Sequence, residues 1–434
     1  MMSSTTSRRA FLGAVGLGAV SANAALSFGA KAQSIAAELS TVKGDPETIA
    51  QDEFYWARVQ QAFTVDRSII NFNNGGVSPA PKWVQEAMQN HLDFSNQCPP
   101  HHMWHILEPR KETVRERLAR SWGVDSEEIA LTRNASESLQ ICQLGIDLKP
   151  GDEVLTTTQD YGRMLTTFAQ REQREGISVS KIQIPVASED PAEIVRRFEE
   201  AINLNTRVIL MSHVINLTGQ ILPVKEVCRL AAAHNIPVIV DGAHSFAHVD
   251  FKISDLGCDY YGTSLHKWLF APHGTGLLYV KKSRIKETWP MMPAAETQAE
   301  DIRKFEEIGT HPAANILAIA EALTFHEGIG PKRKLARMIY LRDRWAHRLS
   351  VQDRFHLNTS LKRGYAGGIA NIKIEGIDST ELRNWLWRKH RILTVSIKHE
   401  QFEGIRVSPS VYSTIEEVDR FCEAMESAAR DGIS

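Results

Sequence analysis

From Ile69 onward the chain repeats one pattern, a short apolar run followed by an amphipathic segment. Val154-Leu155-Thr156, Arg207-Val208-Ile209-Leu210-Met211 and Ile236-Pro237-Val238-Ile239-Val240 are such runs. They are too short for buried helices, and they lack the apolar/polar alternation of a strand with one face in water, so they read as strands covered on both faces. The segments between them supply the cover. Val224 to His234, for example, carries apolar residues at 224, 227, 230 and 231, the spacing of a helix face packed on a sheet. The expected fold class is therefore α/β, with a mostly parallel sheet in a large domain. The alternation lapses near Pro290. Asn315 to Glu327 then reads as a connecting helix that resumes after Gly328-Ile329-Gly330-Pro331. The chain from about Ser350 reads as a smaller α+β domain, with strands near Ala370 to Ile374 and Ile392 to Val395. Upstream, Asp45 and Pro46 supply the start signal for a helix running to Arg67, an N-terminal arm. The expected organisation is a leader over 1–32, an arm over 33–70, a large domain over 71–310, and a connecting helix with a small C-terminal domain over 311–434.

Composition narrows the classes of function. The 434 residues are 43% hydrophobic and 24% charged, with 50 basic against 52 acidic side chains, which argues against disorder and against a nucleic-acid footprint. The cysteines at 98, 142, 228, 258 and 422 form no CxxC pair and are odd in number, a poor basis for structural zinc or a disulfide framework. No internal repeat or low-complexity block interrupts the pattern.

The first residues carry an address. Ser7-Arg8-Arg9-Ala10-Phe11-Leu12 leads into a Gly/Ala-rich apolar run, and Ala30-Lys31-Ala32 supplies a small-x-small cleavage pattern. This is a twin-arginine signal pattern. It predicts handling by the twin-arginine translocation machinery, cleavage after Ala32 and a periplasmic mature protein. Ser21, Asn23 and Ser27 interrupt the run, so no stable membrane anchor is expected.

The stretch from Val238 to Val280 concentrates the chemistry. Asp241 ends an apolar strand run, and a second block closes in Ser264-Leu265-His266-Lys267. In α/β sheets ligands bind at the carboxyl ends of strands, so Asp241 stands where a cofactor would lie. Taken singly, a strand-end Asp is an ordinary turn residue and a His-Lys pair an ordinary surface feature.

Together, the two motifs resemble those of fold-type I pyridoxal-phosphate enzymes, in the class V aminotransferase group that includes isopenicillin N epimerases and cysteine desulfurases. The resemblance spans nearly the whole mature chain and implies pyridoxal 5′-phosphate as cofactor. It makes Lys267 the lysine that carries the cofactor and Asp241 the partner of the pyridine nitrogen. The chemistry suits both types: an enclosed amine loses proton affinity and becomes nucleophilic, and a carboxylate keeps the ring nitrogen protonated.

The resemblance assigns further positions. Ala135 and Ser136, in Leu131-Thr132-Arg133-Asn134-Ala135-Ser136-Glu137-Ser138, fall in the phosphate-binding turn. By residue type alone, the same stretch reads as a capping box with Ser136 as the cap. Asn134 stands where the family has glycine, and asparagine tolerates a left-handed backbone. Tyr161 falls where relatives stack a ring on the pyridine, and a core tyrosine is the alternative. Asn216 and His244 match positions near the phenolic oxygen, with His244 counted among the catalytic residues, and Ser264 and His266 match phosphate-side donors. Local turn chemistry is the alternative for these. Thr310, after Gly309, resembles an element that reaches the neighbouring subunit's phosphate and so implies a homodimer. Asn74, in Asn73-Asn74-Gly75-Gly76, and Arg406, in Gly404-Ile405-Arg406-Val407, match substrate-side positions. A guanidinium there suits an α-carboxylate.

His101, His102 and His105 follow Cys98-Pro99-Pro100. Metal ligation lacks a carboxylate companion there, and lining of the substrate pocket is the stronger expectation. The reaction expected first is transamination of an amino acid or a peptide-like small molecule, ahead of epimerisation or a lyase reaction. A non-catalytic cofactor-binding module would not call for a lysine, a carboxylate and an arginine together. Desulfuration is disfavoured because Ile392 to Arg406 holds no cysteine.

Overall fold

A computed structural model describes residues 32–433. The expected leader over 1–32 lies outside them except for Ala32. Among the described residues thirteen strands run in chain order: β1 Ile70–Asn71, β2 Ile129–Thr132, β3 Glu153–Thr157, β4 Ser178–Ile182, β5 Thr206–Ser212, β6 Val238–Asp241, β7 Tyr260–Ser264, β8 Gly276–Val280, β9 Phe355–Leu357, β10 Ala370–Ile374, β11 Ile392–Leu393, β12 Val395–Lys398 and β13 Glu403–Val407. Seven form the large sheet in the order β2-β8-β7-β6-β5-β3-β4. All neighbours pair in parallel except at β8, which is antiparallel to both β2 and β7.

Both faces of this sheet are apolar, as the unbroken runs require. Val208, Leu210 and Ile239 pack into one layer, and Ile209, Met211, Val238 and Val240 into the other. Each such fully buried aliphatic side chain contributes about 1.5–3 kcal/mol. Parallel pairing also gathers the carboxyl ends of β3, β5, β6 and β7 on one edge, which decides where a ligand can sit.

The small domain is a four-stranded antiparallel sheet, β12-β13-β10-β9, packed on the helix Pro331–Ser350 and the C-terminal helix Ile415–Asp431. Its core also takes in Ile70 and Phe72, and β1 pairs in parallel with β11. The chain around residues 70 and 71 thus belongs structurally to the small domain, a long-range pairing that local pattern does not reveal.

Two expected helices differ in detail. The arm helix is broken into Pro46–Ala50 and Glu53–Gln60, because Asp52 acts as a second cap, accepting from the N–H groups of Phe54 and Tyr55 at 3.0 and 3.2 Å. The connecting helix comes as Ala314–Leu317 and Ile319–Ile329 before the long helix from Pro331. Among the described residues no helix is long and apolar enough to cross a membrane.

Candidate active site

The turns after β2, β3, β5, β6 and β7 meet the small domain around a cavity of about 480 Å³. Asn134, Ala135 and Ser136 line it from the first turn of helix Ala135–Gly145, Tyr161 from the end of β3, Asn216 from β5, Asp241 and His244 from β6, and Ser264, His266 and Lys267 from β7. Arg406 enters from β13 of the small domain. Asn134 and Arg406 thereby converge from 272 positions apart, the large-domain residues brought together by parallel crossovers and Arg406 by the docking of the small domain.

Lys267 Nζ lies 3.3 Å from His244 Nε2. Enclosure lowers the amine to about 8, against the upward pull of Asp241 and with a further downward push from Arg406. Asp241 is buried; burial raises it to about 6, opposed by the Ala243 N–H, which donates to Oδ1 at 2.9 Å, and by Lys267. Burial pushes His244 well below the usual imidazole value, and Lys267 and Arg406 add to the effect. His266 is lowered to about 4 by burial first and Lys267 second, while its Nδ1 contacts the Thr275 carbonyl at 3.1 Å.

The phosphate-side turn differs from expectation in one respect. Asn134, not Ser136, is the helix cap: its side chain accepts from the Glu137 N–H at 2.9 Å, and its φ of −175° is extended, so no left-handed backbone is needed. The close approach is made by Gly276 instead, where any Cβ would stand 2.6 Å from the Asn134 nitrogen. The Ala135 N–H donates to Ser264 Oγ at 2.8 Å, joining the turns after β2 and β7.

Arg406 donates to the Asn216 carbonyl at 3.1 Å and to Asn73 Oδ1 at 2.7 Å, leaving its Nε buried without a partner. Burial lowers it to about 10. The expected Asn74 does not line the cavity. It is fully buried and latched by Asn71, Ser408 and Tyr412, so its neighbour Asn73 makes the arginine contact. In an adjacent asparagine pair, sequence does not tell which side chain turns toward the site.

Thr310 and Gly309 are exposed and do not line this chain's cavity. Tyr161 is 42% exposed, which sets aside the core alternative. The histidine segment lies elsewhere. His102 contacts the Phe94 carbonyl at 2.8 Å and stacks on that ring, while His101, ending the short helix Pro99–His101, and His105, on the π-helical turn His102–Leu107, are exposed, so the pocket-lining expectation fails for this chain's cavity. Sequence reasoning did not single out Arg163, which also lines the cavity. Its place one residue after Gly162, two after Tyr161, was the available signal.

A lysine amine and a buried carboxylate, set beside a helix N-terminus on the carboxyl edge of a parallel sheet, define the site of a pyridoxal-phosphate enzyme. The fit is chemical as well as topological. Burial raises Asp241 to about 6 in spite of Lys267, and Asn216 Oδ1 and His244 Nδ1 are buried with no partner, polar groups that a bound cationic heterocycle can satisfy.

The chain belongs to the class-V aminotransferase family, whose model matches residues 70–421. Its cofactor is pyridoxal 5′-phosphate. The chain is 29% identical to an isopenicillin N epimerase of Streptomyces clavuligerus over 397 residues, 86% of this chain and 98% of the relative. It is 24% identical to a cysteine desulfurase of Haloferax volcanii, over 83% of this chain and 89% of the relative. Among solved structures, the cysteine desulfurase CsdA of Escherichia coli superposes with a TM-score of 0.75 at 20% identity, covering 86% of this chain and 98% of that one. That likeness establishes the fold alone.

Proposed function

We propose that this protein is an exported transaminase that acts on the amino group next to a carboxylate in an amino acid or peptide-like metabolite. The observation that carries the reading is geometric: Lys267 Nζ lies in the cavity 3.3 Å from His244 Nε2. Burial pushes both His244 and His266 down, so neither favours a proton, which leaves the lysine as the base that suits the proton transfer. One base on one lysine suits moving a proton within a substrate framework better than delivering it to opposite faces of Cα.

When bound, the cofactor supplies an electron-withdrawing ring that acidifies the Cα–H bond. Lys267 would carry it, and its Nζ would move the Cα proton. Asp241 would pair with the ring nitrogen, and Ala135, Ser136, Ser264 and His266 would hold the phosphate. Tyr161, Asn216 and His244 would hold the ring, and Arg406, steadied by Asn73, would orient the α-carboxylate.

Epimerisation is the second reading, favoured by the full-length likeness to isopenicillin N epimerase. Incubation with single-enantiomer amino donors in D₂O separates the two. A keto product with loss of the amino group supports transamination, whereas the inverted, deuterated amino acid without keto product overturns it. Against sulfur transfer stands the placement of the thiols: Cys98 is exposed, the other four are buried, and none lines the cavity.

Export rests on Ser7-Arg8-Arg9-Ala10-Phe11-Leu12. Replacing Arg8 and Arg9 by Lys should retain the protein in the cytoplasm, and unchanged location would refute it. The exposed Thr310 supports a homodimer with shared sites, and full activity in a monomer on sizing would sink that part.

A further inference from the structure

Behind the site lies a fully enclosed imidazole that the mechanism above does not use. His248 sits four residues after His244 and is 1% exposed. Its two nitrogens are engaged in opposite senses. The Gly368 N–H donates to Nε2 at 2.7 Å, so Nε2 is unprotonated and the ring proton must be on Nδ1, which donates to the His244 carbonyl at 2.7 Å. The ring also stacks on Trp268, the residue after Lys267, with centroids 4.2 Å apart and planes at 25°. One side chain therefore touches the small domain, the backbone of the site histidine and the neighbour of the site lysine.

Three further features converge on this ring. First, Ala247 and Phe270 both have left-handed backbones, with φ of 56° and 63°. Left-handed backbone is uncommon outside glycine, and such strain gathers at functional sites. One of these residues precedes His248 and the other follows Trp268 by two positions, so both stacked rings stand beside a left-handed turn.

Second, the small-domain side admits no side chain. A Cβ at Gly367 would stand 2.6 Å from His248 Nε2, and one at Gly368 would stand 2.6 Å from Met338 Cβ. Third, that segment is itself held: Arg342, on the long helix Pro331–Ser350, donates to the Ala366 and Gly367 carbonyls at 3.1 and 2.6 Å. The same helix sends the fully buried Lys334 to the Trp268 carbonyl. Burial lowers His248 to about 3, so it stays neutral and keeps this donor–acceptor pattern throughout the working range.

We propose that His248 is a positioning residue that couples the seating of the small domain, through Gly368, to the placement of His244 and Lys267. The connected path runs from the Gly368 N–H through the His248 ring to the His244 carbonyl, and His244 Nε2 in turn meets Lys267 Nζ at 3.3 Å. Arg406 comes from the same small domain, so a substrate carboxylate that draws on Arg406 acts on the body that also sets the lysine. The inference rests on Lys267 carrying the cofactor.

The test uses the cofactor-loaded full chain and two partial mimics. His248→Asn keeps a donor near the Nδ1 position and loses the acceptor for Gly368, whereas His248→Gln keeps an acceptor near Nε2 and loses the donor to His244. The pH midpoint of the cofactor's visible band reports on Lys267. It should move by about half a unit or more in His248→Gln, the scale of one modest hydrogen bond, and stay closer to native in His248→Asn. Both variants should lose kcat, His248→Gln by about 10- to 100-fold with KM within about threefold.

A merely structural histidine would lower the melting temperature of both variants alike and leave the band midpoint and kcat native below that temperature, which would overturn the proposal. If neither variant folds, ¹⁵N NMR of the native protein decides: the proposal requires His248 protonated at Nδ1 and bare at Nε2, and the opposite tautomer overturns it. A native protein with no visible band at all would instead defeat the cofactor assignment at Lys267, a distinct failure.

Discussion

The two ends of the large sheet hold polar side chains in opposite conditions. At the amino end, acids are saturated: Asp259, just before β7, accepts from the Val238 N–H at 3.1 Å and from Arg284 at 3.0 Å, and Glu153, opening β3, accepts from Asn203 and Thr206 at 2.7 and 2.8 Å. At the carboxyl end, Asp241 has one backbone donor and a pKa raised to about 6, and Asn216 Oδ1, His244 Nδ1 and Arg406 Nε lack partners. These acids at the amino end are matched within the protein, as is Asp160 at the carboxyl end, whereas Asp241 and the orphaned atoms around the cavity await a ligand. Unsatisfied burial is costly, so orphaned polar atoms gathered around one cavity fit a place where a ligand satisfies them.

Substitutions at the two ends should part company. Lys267→Ala should remove the covalently held cofactor and lower turnover by roughly 10⁴-fold, the upper range for losing a positioned base, as read by the visible band and steady-state rates. Asp241→Asn should cost about 100- to 1,000-fold in kcat while leaving the melting temperature near native. Arg406→Gln should raise KM for carboxylate-bearing donors about 10- to 100-fold and spare amines without a carboxylate, because charge-assisted bonds to one group are lost. At the amino end, Asp259→Asn should leave kcat unchanged and cost about 1–3 kcal/mol of stability in denaturant titration. Loss of activity there without loss of stability would break the contrast.

Acidity sharpens the same comparison. The Lys267 amine is lowered to about 8 by burial, so its reactive neutral form grows as pH rises through that value. Capture of added pyridoxal phosphate by cofactor-free protein should therefore speed up from pH 6 to 8 and level off above, roughly 100-fold slower at pH 6 than on the plateau. A flat profile would show that the enclosure of Lys267 does not tune it.

Several elements were legible because their signals are local. The unbroken apolar runs at 208–211 and 238–240 became β5 and β6, and Val224–Ala233 is the helix expected from its spacing. The motifs around Asp241 and Lys267 likewise stand at the strand ends where the pattern put them. The arm helix was overextended because Asp52 caps a second helix within it. Asn74 was singled out where Asn73 makes the contact, since which of two adjacent asparagines faces a neighbour depends on a partner 333 residues away.

The sequence alone determined the layered α/β architecture, the positions of Asp241 and Lys267 after buried strands, and the family resemblance that names the cofactor. Those follow from periodicity and from motifs that each occupy a few consecutive residues. Only the tertiary structure decided that residues 70–72 join the small domain, that Gly276 rather than a left-handed Asn134 makes room at the phosphate-side turn, and that His248 spans the two domains. Each of these depends on distance and hydrogen-bond direction between segments far apart in the chain, quantities fixed by packing and absent from any local pattern.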